Sequence, residues 1–416
     1  MPAAQETSLV LSFEDARRVV EQHAALLRAR GTEMVDLVNA FDHVLAETLT
    51  ADRDIPPFPR STRDGYAVRS PDLKQLPAKL KVIAEVRAGA SANEIPHTLA
   101  VGQAVSIMTG APVPAGADAV VMVECTTRSG EHVEISRGVA PGENVVPQGA
   151  EARSGAILLS PGSRLGPPAI ALAASVGETR CAVYTRPRVA ILTTGDEIVD
   201  AGVTPGPTQI RNSNSYSLAA QVQAAGGAPV ILPIAPDEPA PLRSLIETGL
   251  QSDLLLLTGG VSMGRYDLVE QVLSELHAEF FFTGARIQPG RPVVFGRIPG
   301  SSGQPKYFFG LPGNPVSTMV TFELFARPVL EALSGATPRK LAFLHARLKS
   351  EIKVKPGLKR FLPANLSEEF ERSQVELVSW QGSGDIAATA RANCYAVIPP
   401  DRERIPAGEW IAVLPR

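Results

Sequence analysis

Three apolar runs in this chain, in "VAILTTGDE", "LLLLTGGVS" and "YFFGLPGNP", each stop at glycine and lead into a helical pattern. Short runs of that kind are buried strands, and strands alternating with helices form a parallel sheet. No other feature constrains the fold as much. Such a sheet must be covered by helices on both faces, and its ligands gather where the strands end. The predicted strands are Val189–Thr193, Val230–Pro233, Leu254–Thr258, Val293–Phe295 and Tyr307–Phe309. The predicted helices between and after them are Ser217–Ala225, Leu242–Thr248, Leu268–Leu276 and Val316–Ala326.

The rest of the chain has a different rhythm. Ser12 and Asp15 form a capping box, after which Ala16, Val19, Val20, His23 and Leu27 share one helical face. Residues 51–149 break into short β-prone pieces separated by Gly, Pro and Asn, as in a small mostly-β domain. A helix opened by Pro167 and Pro168 and closed at Gly177 follows. The expected division is discontinuous: 1–50 with 150–180, the β insertion 51–149, the α/β/α unit 181–335, and a β-rich unit 336–416.

At 416 residues the chain is too long for one core, and its net charge of −3 argues against a nucleic-acid surface. Cys125, Cys181 and Cys394 lie far apart, which suits a reducing compartment. No signal-like or membrane-spanning run is present, so the expectation is a cytoplasmic protein with no membrane partner. The six histidines are scattered, G-x-S-x-G is absent, and G-x-G-x-x-G does not follow the first α/β strand. Structural zinc, an α/β-hydrolase and a dehydrogenase are all disfavoured.

What remains is carboxylates and oxyanion cradles. Thr194, Gly195, Asp196 and Glu197 follow one strand, and acids there either hold Mg²⁺ and polar ligands or cap the next turn. Gly259, Gly260, Ser262 and Asp267 follow another, where adjacent glycines let a backbone approach an anion. In "FFGLPGNPVS", Gly310, Pro312 and Gly313 read as a rigid turn, while Asn314 and Pro315 open a helix. Arg291 in "QPGRPVVFG" is a candidate oxyanion donor. By its own chemistry "FPRSTRDGYAVRS" is a charged turn in which Asp64-Gly65 leads into a strand; Thr109-Gly110 reads as another turn.

"STRDGYAVR", "IMTGAPVPAGADAVVMVE", "ILTTGDEIV", "IRNSNSYSL", "LLTGGVSMGRYD", "QPGRPVVFG", "FGLPGNPVSTMVTFE" and "ANCYAVIP" occur in one order along the chain. With them the sequence resembles the MoeA family, molybdopterin molybdenumtransferases related to the C-terminal domain of gephyrin. The resemblance implies an N-terminal linker domain, an inserted β domain, a MogA-like α/β/α domain and a C-terminal β barrel. It also implies an elongated homodimer whose active site is shared between subunits. There adenylylated molybdopterin and molybdate would react, with Mg²⁺-dependent release of AMP. It further implies transient contact with molybdopterin adenylyltransferase and with maturation proteins of molybdoenzymes.

The resemblance assigns Asp64, Glu197, Asp237 and Asp267 as catalytic, the last three also as metal ligands. Thr109, Thr194, Gly195, Ser213, Gly259, Gly260, Ser262, Arg291, Gly310, Pro312, Gly313, Asn314, Pro315 and Ser383 are assigned to ligand binding. Departures occur at Val146, where the family often has an arginine, at Ala150-Glu151, where it often has an acidic pair, and at Gln288 and Arg291, where many members carry lysines; Arg291 keeps the charge but changes its geometry. The alternatives are the preceding adenylyltransferase, a tungsten-specific insertase and a non-catalytic scaffold. An adenylyltransferase would need only a unit like 181–330, and a scaffold need not cluster acids at loop ends.

Overall fold

The structure is a computed structural model that describes residues 9–259, 268–300, 304–337, 339–367, 369 and 371–416. A six-stranded sheet lies at its centre. Its order is Ala228–Ile231, Arg188–Thr193, Leu254–Thr258, Lys306–Leu311, Val294–Ile298 and Glu279–Phe282. The first four strands are parallel; Val294–Ile298 runs antiparallel to its neighbour Lys306–Leu311, and Glu279–Phe282 runs antiparallel to Val294–Ile298. Leu254–Thr258 is buried along its whole length, as a central strand covered on both faces must be.

One face packs on helices Pro239–Gly249 and Leu268–Glu275 through Leu242, Ile246, Val269 and Val272. The other packs on helix Asn214–Ala224 and on the segment from Pro315 to Leu333 through Leu218, Val222, Val316 and Phe325. These two cores make the three-layer α/β/α unit. The strand expected at Val230–Pro233 begins earlier, because its register runs from Arg188 opposite Ala228 to Ile191 opposite Ile231. The last helix is interrupted by a π turn at Phe322–Ala326, which sequence periodicity does not reveal.

Helix Phe13–Ala24 is capped by Ser12, whose Oγ accepts from the Asp15 amide at 3.1 Å. It shares the core of the α/β unit: Phe13, Ala16 and Val20 pack with Phe325 and Phe361. A second core joins two distant segments. Thr32–Asp36 pairs with Arg180–Tyr184, Leu49–Thr50 with Ile157–Leu159, and Leu45, Leu165, Ala173 and Val183 fill the space between. The chain between them forms its own six-stranded sheet, ordered Ala119–Met122, Gly65–Val68, Gln103–Ile107, Ala78–Val86, His132–Ile135 and Thr126–Ser129. It is an insertion.

Beyond the α/β unit the chain closes a five-stranded barrel. Lys359–Leu366 pairs with Gln374–Leu377, which leads through Leu344–Leu348, Trp410–Pro415 and Cys394–Ile398 back to Lys359–Leu366. Closure leaves no free edge in that ring. A two-residue strand, Ile287–Gln288, adds in parallel to Lys359–Arg360 and welds the α/β unit to the barrel. No described helix is long and apolar enough to cross a membrane.

Candidate functional site

The carboxyl ends of the parallel strands place three turns side by side. The Thr194 amide donates to the Thr258 carbonyl at 3.0 Å, and the Ala235 amide to the Thr193 carbonyl at 2.9 Å. Gly259 has φ +93°, and a Cβ there would lie 2.3 Å from the Thr194 carbonyl oxygen. Only glycine lets this turn pass so close. A Cβ on Gly313 would be 3.5 Å from the Gly259 Cα, so the second and third turns touch.

The two acids after the first strand have separate jobs. Asp196 accepts from the Asp237 amide at 3.1 Å, which is the turn-capping role. Glu197 folds back over Gly195, where a Cβ would meet its Oε2 at 2.5 Å. Asp237 arrives on the neighbouring loop and accepts from the Thr194 hydroxyl at 2.9 Å. Glu197 and Asp237 are therefore exposed carboxylates on adjoining turns. Among the described residues no group of three or more His, Cys, Asp or Glu is gathered. Gly260, Ser262 and Asp267 lie outside the described residues.

The "LPGNP" loop departs from expectation in three places. Gly310 is a buried strand residue, opposite Leu257 on one side and Val294 on the other, and is not part of the turn. Asn314 occupies the N-cap position of helix Pro315–Thr321 without a side-chain cap bond. The Val316 amide is already used, donating to the Ser383 carbonyl at 3.0 Å. The helix start is thus closed in part by the barrel's loop, so it is not an open anion cradle. Ser383 enters the site through its backbone. Asp385 steadies that loop by accepting from the Ala388 and Gln381 amides, bonds that hold its carboxyl below the usual range.

Beneath the turns lies a floor of buried polar side chains that sequence reasoning passed over. Asn214, at the start of its helix, donates from Nδ2 to Thr258 Oγ1 at 2.9 Å and to the Gly313 carbonyl at 2.7 Å. Thr258 and Thr318 both donate to the Pro312 carbonyl. Beside them, Thr193, Asn212 and Ser215 form a second buried network. The signal was the "NSNS" of "IRNSNSYSL", from which only Ser213 was taken. Ser213 sits at the N-cap position with no side-chain cap bond.

Arg291 is exposed, with its carbonyl pinned by the Ala285 and Val293 amides. Two described arginines are buried, each 7% exposed: Arg17, paired with Glu21, and Arg360, which has no such partner. Arg360 Nε donates to Gln288 Oε1 at 2.7 Å and its Nη1 to the Leu358 carbonyl at 3.2 Å. No described carboxylate pairs with it. Burial pulls this guanidinium below its ordinary pKa. Arg360, Gln288, Lys353 and Trp380 line a cleft of about 410 Å³. Glu351, also in the cleft, is tied to Arg404 at 2.6 Å and Lys353 at 3.2 Å. Gly290, two residues after Gln288, presses on Thr321 of the helix that Ser383 caps, and Trp380 begins the loop carrying Ser383.

Asp64 and Thr109 come together in the inserted domain. Asp64 Oδ1 accepts from the Thr109 amide at 2.6 Å and its hydroxyl at 2.9 Å. Those bonds, the amide's first, hold the exposed carboxyl below its usual range. Because the folded-state pKa is depressed, the associated stability is present above the unfolded value and lost as pH falls through the folded one. Thr109→Val removes the hydroxyl donor, so the Asp64 pKa should rise in a carboxyl NMR titration; an unmoved titration would refute the pairing. Arg60 pairs with Glu151 at 2.9 Å and lies opposite Val146 in the strand register. No described hydrogen bond joins Asp64 or Thr109 to the Glu197 turn within one chain.

Residues 11–177 match the family profile "MoeA N-terminal region (domain I and II)". Residues 190–332 match "Probable molybdopterin binding domain" and 345–415 match "MoeA C-terminal region (domain IV)". A protein of a Nostoc species named molybdopterin molybdenumtransferase is 34% identical, covering 92% of this chain and 88% of the relative. A Bacillus subtilis protein of the same name is 32% identical, covering 92% and 89%. A crystal structure described as the molybdopterin biosynthesis moeA protein from Pyrococcus horikoshii OT3 superposes with TM-score 0.78 at 29% identity. It spans 98% of this chain and all of its own.

Proposed function

The chain belongs to the MoeA family, and from that membership we propose that it joins molybdate to adenylylated molybdopterin, releasing AMP. Relatives at 30–34% identity over most of the chain are named molybdopterin molybdenumtransferase, which places this chain among enzymes of molybdenum cofactor biosynthesis. The observation that carries the finer reading is the buried Arg360, with which no described carboxylate pairs, in a cleft beside Gln288 and Trp380. A tetrahedral oxyanion suits the cleft, and a phosphoanhydride suits the glycine turns at the strand ends.

In this reading Gly259 and Gly313 let the anhydride phosphates approach the backbone. Glu197 and Asp237 are hard oxygen donors on adjoining turns, and that donor chemistry fits Mg²⁺. Bound there, Mg²⁺ would offset charge on the anhydride oxygens. Asp64, held ionised by Thr109, would come from a second copy of the chain and take a proton from the water that attacks the anhydride phosphorus, as the bridging P–O bond breaks to leave AMP and the molybdopterin phosphate. Arg360 would hold molybdate through charge-assisted hydrogen bonds.

The test is direct. Purified protein given adenylylated molybdopterin, Mg²⁺ and molybdate should yield AMP and active cofactor. No AMP under those conditions would sink the reading.

A further inference from the structure

We propose that Asn214 is a positioning residue that sets the width of the strand-end site; the inference rests on the function proposed above. Its Nδ2 ties two turns that, among the described residues, have no other side-chain bridge between them except through Thr258. One hydrogen bond reaches Thr258, at the end of the central strand, and the other reaches Gly313, in the loop after the next strand. Thr258 in turn donates to Pro312, so the amide closes a small ring of buried bonds below the Gly259 and Gly313 turns.

Two observations argue that this side chain is kept for its donors. Asn214 is 8% exposed, and its Oδ1 is buried with no hydrogen-bond partner among the described residues. Burying an unsatisfied acceptor costs stability that an apolar side chain would not cost, so what the amide contributes here is its two donor bonds. Moreover, Ser213 and not Asn214 takes the N-cap position, so capping the helix does not account for it. The remaining use of the amide is to hold the Pro312–Asn314 loop against the Gly259 turn.

If the clamp sets the site, its loss should appear in the chemistry more than in stability. Asn214→Ala should lower kcat/KM for adenylylated molybdopterin on the order of 10- to 100-fold, mainly in kcat, since small misplacements erode near-attack geometry. Asn214→Asp keeps the shape but loses the donors, and should behave alike. The control is Val222→Ala on the same helix. It opens a cavity in the core below a fully buried position, costing stability without touching the turns.

Hydrogen exchange of the ligand-free protein supplies a second readout. The Gly313 and Asn314 amides should exchange faster in Asn214→Ala and not in Val222→Ala. That arm stays informative even if the unaltered protein releases no AMP, which would count against the proposed function alone. The inference is overturned if Asn214→Asp retains full kcat/KM, if the loop exchanges at its usual rate in Asn214→Ala, or if both alanine variants lose activity in proportion to lost stability.

Discussion

Co-expressing Asp64→Ala and Glu197→Ala chains should restore about a quarter of the unaltered turnover, although each variant alone is expected to release almost no AMP. The arithmetic follows from a twofold dimer with composite sites. Random pairing makes about half the dimers mixed, and each mixed dimer has one site with both acids and one with neither. The expectation rests on separation within one chain. Asp64 sits in the inserted sheet, fixed by Thr109, while Glu197 lies over Gly195 at the end of a strand in the α/β unit. No described hydrogen bond links the two turns. Each alanine variant should remain folded, because both side chains are exposed and neither supports a core. Differently tagged chains, purified through both tags, would isolate the mixed dimer. If it is as inactive as the parents, the two acids do not meet across a dimer, and the composite site is wrong.

How far the sequence reached depends on the range of the interaction concerned. The α/β unit was legible because apolar runs such as "LLLL" report burial on both faces, and the glycines that end them report turns. The strand-end turns that carry Glu197 and Gly259 were legible for the same local reason. The shared core of Phe13 and Phe361 was not, since nothing in a helical period says which sheet will receive it. Gly310 was misread as turn because a glycine between Phe309 and Leu311 looks like a break, whereas its neighbours on both sides hold it in the ladder. Asn314 was read as a cap from its type, but the amide it was expected to serve is not left to it alone: Ser383, distant in sequence, takes the next one. Arg360 was invisible for the opposite reason. In "GLKRFLPA" it looks like one of two surface cations, and only barrel closure and the Ile287–Gln288 strand put it inside.

That buried arginine gives the other large effect. Arg360→Ala should raise the molybdate concentration for half-maximal turnover on the order of 100-fold, as expected when one member of a buried charge-assisted contact is truncated. The fold should tolerate the change. An arginine with no described carboxylate partner bears an uncompensated desolvation cost, and its removal leaves only the Leu358 carbonyl and Gln288 Oε1, the latter on the cleft lining. Arg360→Lys should recover only part of the loss. A lysine keeps the charge, but its ammonium cannot reproduce a planar fork that meets Gln288 with one nitrogen and Leu358 with another while presenting the rest to the anion. Affinity for AMP should be unchanged in both variants, because the nucleotide is assigned to the strand-end turns and not to this cleft. Sulfate, another tetrahedral dianion, should compete with molybdate in the unaltered protein and much less in Arg360→Ala. Calorimetric titration with molybdate and turnover as a function of molybdate concentration read the same constant from two sides. If neither moves in Arg360→Ala, the oxyanion binds elsewhere, and the exposed Arg291 becomes the group to test.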